Sequence, residues 1–330
     1  MNQATLAETR KEIRSKKIRL PDHLSSRSVL YVAAYAACPF LLIGMSVVLG
    51  RLATESWFVL LPAHFVLLLA AQRCFQTLVH DASHRLYSEK SLARNDLLAN
   101  LLAAGWIGST VDAYRKVHFR HHAHNGSEDD PEHIDFDAIS ERGGLKAYCF
   151  RYIFCLEVLR LFRKYYWPES TTNSEATRSA DRHAAEHQNS GFARLVAKIV
   201  ATILTKSHVL ITQFVLASVF VFVSQCWPLY FLWLYIAVSW SPMISGLRFL
   251  VEHPGKSDLT VTTKSWLLEL LYFAPFNFNY HFEHHLWPSV PPYRLRRAHQ
   301  YLQSQNYFSE HPECLNFNKS YLRSLWSRGK

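Results

Sequence analysis

The residues in this chain best suited to chemistry are its histidines, 18 among 330 residues. Three short boxes stand out: His80-Asp81-Ala82-Ser83-His84, His118-Phe119-Arg120-His121-His122 and His281-Phe282-Glu283-His284-His285. In each box the outer histidines are three or four residues apart. On a helix that spacing sets two imidazoles one turn apart on one face, as two ligands of one metal require. His253 stands alone further along. Zinc sites usually close with four ligands and often include cysteine. Eight box histidines with His253 exceed that number and suit two metals with four or five imidazoles each. Imidazole binds iron, copper, nickel and zinc, so ligand type leaves the metal open. His23, His64, His183, His187, His208, His299 and His311 read as satisfied core or surface residues, and His124 and His133 lie near the second box but off its pattern.

The boxes must be carried to one place, and long apolar segments supply the means. Four are long enough to cross a bilayer, which takes roughly 20 residues. They run from about Val29 to Leu49, Ser56 to Val79, Ser207 to Cys226 and Leu229 to Leu250, with Pro228 forcing the last two into a tight hairpin. The first box closes the second span, His253 and the third box follow the fourth, and an even number of crossings between them puts every box on one side. Arg51 is the only Lys or Arg between the first pair of spans, whereas Arg10, Lys11, Arg14, Lys16, Lys17, Arg19 and Arg27 crowd the N-terminal end. The positive-inside rule then sets both termini and the metal site in the cytoplasm. Leu92 to Gly108 and Trp266 to Phe278 are too short to be good span candidates, and Leu145 to Tyr166 is interrupted by charges in a way that suits a helix lying in the interface. Thr171 to Ser190 is a polar stretch expected to be a surface loop.

The expected fold is therefore all-α and integral to the membrane: four transmembrane helices in two hairpins, a cytoplasmic helical cap and interfacial helices. Residues 1–330 read as one membrane domain, with 1–28 a basic cytoplasmic tail and 300–330 a C-terminal cytoplasmic tail. The formal charge of +10 sits in tails and loops beside apolar runs, which favours lipid headgroups over a nucleic-acid groove. Cys38, Cys74, Cys149, Cys155, Cys226 and Cys314 form no C-x-x-C pair, so neither a disulfide framework nor a zinc ribbon is expected. The N-terminal stretch lacks the short apolar region and cleavage site of a removed signal peptide.

H-x-x-x-H, H-x-x-H-H and H-x-x-H-H, in this order around paired spans, resemble the membrane fatty acid desaturase and hydroxylase superfamily. The resemblance runs from about Gln76 to His299 and includes His121-His122-Ala123-His124-Asn125 and Asn279-Tyr280-His281-Phe282-Glu283-His284-His285-Leu286-Trp287-Pro288. It implies a mushroom-shaped helical fold and two non-haem irons held by His80, His84, His118, His121, His122, His281, His284 and His285, with His253 as a ninth ligand. Stearoyl-type relatives place an asparagine four residues before that ninth histidine, meeting the metal through water. Phe249 stands there in this chain, with Glu252 the nearest substitute. His253-Pro254-Gly255-Lys256 lacks the second glycine of the haem-binding motif of a fused cytochrome b5 domain.

The function so implied is an O2-dependent oxidoreductase that introduces a double bond into a fatty acyl chain, on a lipid or acyl-thioester substrate. Electrons would come from a separate donor of the ferredoxin, rubredoxin or cytochrome b5 type, for which Arg294, Arg296 and Arg297 offer a basic face. The alternative is a hydroxylase or ketolase of a lipid or carotenoid using the same di-iron site. A metal transporter or sensor would instead distribute its histidines along a crossing path. Asp81, Glu252 and Glu283 are expected to hold ligand imidazoles in place, and the acidic loop Glu128-Asp129-Asp130 with Glu132 to orient the second box.

Overall fold

The computed structural model describes residues 19–53, 55–125, 127, 129–132, 139–140, 142–160, 207–254, 259–316 and 320–328. The polar stretch expected as a loop at Thr171 to Ser190, and with it His183 and His187, lies outside these residues, as does His133. The described chain is mostly helical. Helix α1, Val29–Leu52, is apolar on all sides, and Leu41, Met45 and Val48 remain exposed on its outer face. A helix with no polar face suits hydrocarbon rather than water. Helix α2, Leu61–Ser83, follows a single tight turn at Trp57–Leu60 and carries proline in its first turn, where the missing N–H costs nothing. Its second half is buried almost continuously from Leu68 to Ser83, which makes it the central helix of the structure. His64 of α2 is a buried core histidine whose Nδ1 bonds Ser46 of α1 at 2.8 Å, while its Nε2 is buried without a hydrogen-bond partner.

Helix α3 (Leu92–Leu102) is capped by the Ser91 side chain, and α4 (Val111–His124) by Thr110. These caps satisfy amide groups that the first turn of a helix leaves open. The short helix α5 covers Gly144–Ile153, and α6 covers Ser207–Ser218 before widening into a π turn at Val219–Val223. Helices α7 (Pro228–Val238) and α8 (Trp240–Glu252) continue one another across a break at Ser239. Among the described residues three stretches are long and apolar enough to cross a membrane: Asp22–Leu52, Trp57–Ser83 and Pro228–Glu252. The remaining expected span appears as the shorter apolar helix Ser207–Val223.

Beyond α8 the chain builds a cap from β1 (Thr262–Thr263), α9 (Leu267–Tyr272), α10 (His281–Leu286), α11 (Pro292–Ser304), β2 (Leu315–Asn316) and α12 (Tyr321–Arg328). The two strands pair in parallel, Thr262 opposite Leu315. Two expected tails are in part folded onto this body. At the C-terminal end, Tyr321 is fully buried and its hydroxyl donates to Glu252 at 2.5 Å. At the N-terminal end, Leu24 packs with Val290, Leu295 and Ala298, and Arg27 donates to the carbonyl of His84 at 2.9 Å. Burying those apolar side chains outweighs leaving the segments in solvent. All six cysteines are free.

Gly105 marks the closest approach of the α3–α4 connection to α6. A Cβ there would lie 2.6 Å from Thr212 Oγ1 and 3.0 Å from the carbonyl of His208. Gly105→Ala is therefore expected to destabilise the protein by about 1–3 kcal/mol, read as a lowered Tm in detergent. An unchanged Tm would show that α6 is free to move aside.

Candidate metal centre

Four helix ends deliver the nine expected histidines to one region. The end of α2 brings His80 and His84, α4 brings His118, His121 and His122, the residue after α8 is His253, and α10 carries His281, His284 and His285. They fall into two groups, His80, His84, His118, His122 and His284 in one, and His121, His253, His281 and His285 in the other, with the offered ligand atoms of each group within 4.8 Å of one another. The pairs spaced i,i+4 share a group in all three boxes. The middle histidines, His121 and His284, cross to the other group. Successive residues on a helix point about 100° apart, so each His-His pair faces two centres at once. This fixes the separation of the two groups by covalent geometry.

The Nε2 atoms point inward. His118 Nε2 lies 3.1 Å from His84 Nε2 and 2.9 Å from His122 Nε2, and His122 Nε2 lies 3.2 Å from His284 Nε2. In the second group His281 Nε2 is 2.9 Å from His253 Nε2, and His121 Nε2 is 3.3 Å from its counterpart on His285. Outer nitrogens meet carboxylates. His80 Nδ1 is 2.9 Å from Asp81, His121 Nδ1 is 2.9 Å from Asp130, His118 Nδ1 is 3.5 Å from Glu132 and His281 Nδ1 is 3.6 Å from Glu252. At hydrogen-bond distance, as for His80 and His121, a carboxylate at Nδ1 keeps the proton there and leaves the Nε2 lone pair facing in.

Burial first, and the neighbouring imidazoles second, push His84, His122, His281, His284 and His285 well below the ordinary histidine range. Burial alone would raise the Glu132 carboxyl, but the facing His118 holds it down to about 2. The rings are thus neutral and the carboxylate charged, the protonation states metal binding needs. The acidic loop is less solvated than expected, for the Asp130 side chain is fully buried. Glu283 departs from expectation too. It bonds His299 Nδ1 at 2.6 Å and accepts from Thr262, so it braces α10 on α11 and β1 instead of holding a clustered imidazole. Glu252 pairs with Arg248 at 3.0 Å and faces the outer nitrogen of His281 at 3.6 Å. Phe249, at that asparagine's position, stacks on His253 with ring centroids 4.3 Å apart.

Residues outside the boxes hold the helix ends in register. Arg115 on α4 donates to the carbonyl of Ser83 at 3.1 Å and grips Asp96 with both terminal nitrogens, while Asn95 donates to the carbonyl of Ala82 at 2.9 Å. These bonds satisfy carbonyls at the C-terminal end of α2, where His80 and His84 emerge. No spacing rule marks them, since their partners come from other helices. His124 belongs to neither group, and His208 and His311 bond Ser109 and Glu313 as satisfied residues do.

The site's chemistry fits metal. Metal–imidazole bonds of about 2.0–2.1 Å at right angles set neighbouring nitrogens about 3.0 Å apart. The spacings above match. Facing lone pairs repel unless a cation lies between them, and His80 Nε2 is buried with no hydrogen-bond partner. Two adjacent all-imidazole sites at the ends of apolar helices define a membrane metalloprotein class. The family model for fatty acid desaturases matches residues 55–314, most of the chain and every clustered histidine. The chain belongs to the fatty acid desaturase family. No curated protein gave a match.

Two outcomes are expected. Asp130→Asn should lower metal affinity about 10–100-fold, measured by competition with a chelator; unchanged affinity would mean that this contact is not needed. Metal-stripped protein should lose stability as pH falls below about 6.5, because the unfolded chain then binds protons that the folded clusters exclude. A Tm that stays flat from pH 8 to about 5 would contradict the burial argument.

Proposed function

We propose that the protein is a membrane-bound non-haem di-iron desaturase that uses O2 to introduce a double bond into a fatty acyl chain. His80, His84, His118, His122 and His284 would hold one iron, and His121, His253, His281 and His285 the other. The supporting observation is the inward convergence of their Nε2 atoms in two adjoining groups. Iron, when bound, supplies dioxygen activation and removal of hydrogen from an unactivated C–H bond.

The chain's own residues do the positioning. A cavity of about 520 Å³ runs beside the first group, walled by His80, Tyr114, Glu132 and Phe249 among others, and it would hold the substrate carbon next to the metals. Phe249 against His253, and Phe278 against His80 at 4.3 Å, keep water from the imidazoles. Asp81, Asp130 and Glu132 retain protons on outer nitrogens and so fix ring orientation.

In this reading four transmembrane helices form two hairpins, the short Ser207–Val223 helix being one of them. Both termini and the metals then face the cytoplasm, as the basic N-terminal end favours. A separate acidic electron donor would dock near Arg296 and Arg297, which are exposed on α11. Expression in a host of known lipid composition, followed by mass spectrometry of total lipids and thioesters, tests the reaction. Loss of two hydrogens from a chain is the expected product, whereas gain of one oxygen would assign the hydroxylase alternative. His121→Ala should lower iron content and abolish turnover; near-normal turnover would overturn the ligand assignment.

A further inference from the structure

A cavity of about 400 Å³ lies in the cap, outside the metal centre, against the segment that leads into the third box. Asn279 and Tyr280 wall it, whereas Phe278 beside them packs on His80 at 4.3 Å. None of the nine clustered histidines lines it. Lys264 and Ser265, which follow β1, and Arg296 of α11 supply the rest of its polar wall. That wall carries two cations and no anion. Among the described residues no carboxylate lies within 4 Å of Lys264 or Arg296.

Two further lining residues have unmet hydrogen bonds. Ser265 Oγ is buried without a partner. Asn279, 7 % exposed, donates its amide to the carbonyl of Thr263 at 3.0 Å, which leaves its buried Oδ1 with no partner. Such atoms are costly unless a ligand or water completes them. The two cations call for an anion, to which the Ser265 hydroxyl can also donate. Asn279 Oδ1 only accepts, so it calls for a donor on the same ligand. A phosphodiester whose alcohol carries a free hydroxyl offers both.

The surface beside the cavity decides the source of that phosphate. Trp266, Leu267 and Leu268 directly follow the two lining residues and are 68–75 % exposed. The start of α12 joins them, its Leu322 N–H donating to Glu269 of α9 at 3.0 Å, and adds the exposed Leu322 and Trp326. Tryptophan and leucine next to lysine and arginine suit a segment lying at a membrane surface, its apolar side chains among acyl chains and its cations at headgroup level. A soluble phosphate would leave that apolar face in water.

We propose that this cavity seats the headgroup of an anionic phospholipid whose alcohol bears free hydroxyls. The phosphate lies between Lys264 and Arg296, a hydroxyl donates to Asn279, and the acyl chains run along Trp266, Leu267 and Leu268. The bound lipid ties the segment that holds Phe278 on His80 to the bilayer surface. Arg297 does not line the cavity and stays open to a donor. The site is independent of the reaction proposed above, since no metal ligand belongs to it.

Native mass spectrometry of the full-length protein in detergent, titrated with single lipids, tests this without turnover. Dioleoyl phosphatidylglycerol should bind at least about tenfold tighter than dioleoyl phosphatidylcholine, because each cation at a membrane surface contributes about fivefold. Lys264→Gln combined with Arg296→Gln should cut that preference to within about twofold at unchanged Tm, both side chains being exposed. Lys90→Gln combined with Arg94→Gln removes the same charge from exposed positions outside the cavity and should leave the preference intact. Dioleoyl phosphatidylmethanol, equally charged but without hydroxyls, should bind several-fold weaker than phosphatidylglycerol; equal binding would remove the Asn279 contact. Equal affinity for phosphatidylglycerol and phosphatidylcholine, or equal losses in the two double variants, would overturn the site. Glycerol 3-phosphate binding as tightly as the lipid would assign a free phosphate ligand and overturn the membrane source.

Discussion

Nine imidazoles packed into a largely buried space are unstable by themselves. Their inward lone pairs repel, and protonating any one of them places a charge where burial forbids it. A cation between them resolves both problems. Much of the surrounding structure is arranged to make that crowding tolerable. Carboxylates sit at the outer nitrogens of His80, His118, His121 and His281. The same carboxylates would offset the charge of a metal held there.

Holding that arrangement demands rigid elements from distant parts of the chain. The core is a continuous apolar cluster running through α1, α2, α7 and α8. Arg115, Asn95 and Asp96 fix the end of α2 against α4, and Tyr321 fixes the end of α8 through Glu252. The terminal segments contribute as well, which explains why a stretch so poor in motifs as Tyr321–Arg328 packs against the heart of the protein. Each of these contacts sits outside the boxes and sets where a box points.

The same scaffold leaves one wall of the site unusually polar. Hydroxyls, an amide, a carboxylate and two guanidinium groups line the cavity that approaches His80, although the helices around it carry exposed apolar residues on their outer faces.

Much of the centre was legible in the sequence because its signals are local. Histidine spacing is a property of a single helix, and i,i+4 pairs such as His118 and His122 must share a face wherever the helix goes. Apolar runs of bilayer length are equally local, so the ends of α1, α2 and α8 fall within a few residues of those expected. What spacing could not say is which centre each middle histidine joins, because His121 and His284 face groups completed by residues of other elements. Nor could it show that Glu283 turns to His299 or that Asp130 is buried against His121. Those facts depend on groups brought together across tens to hundreds of residues, and only packing decides them.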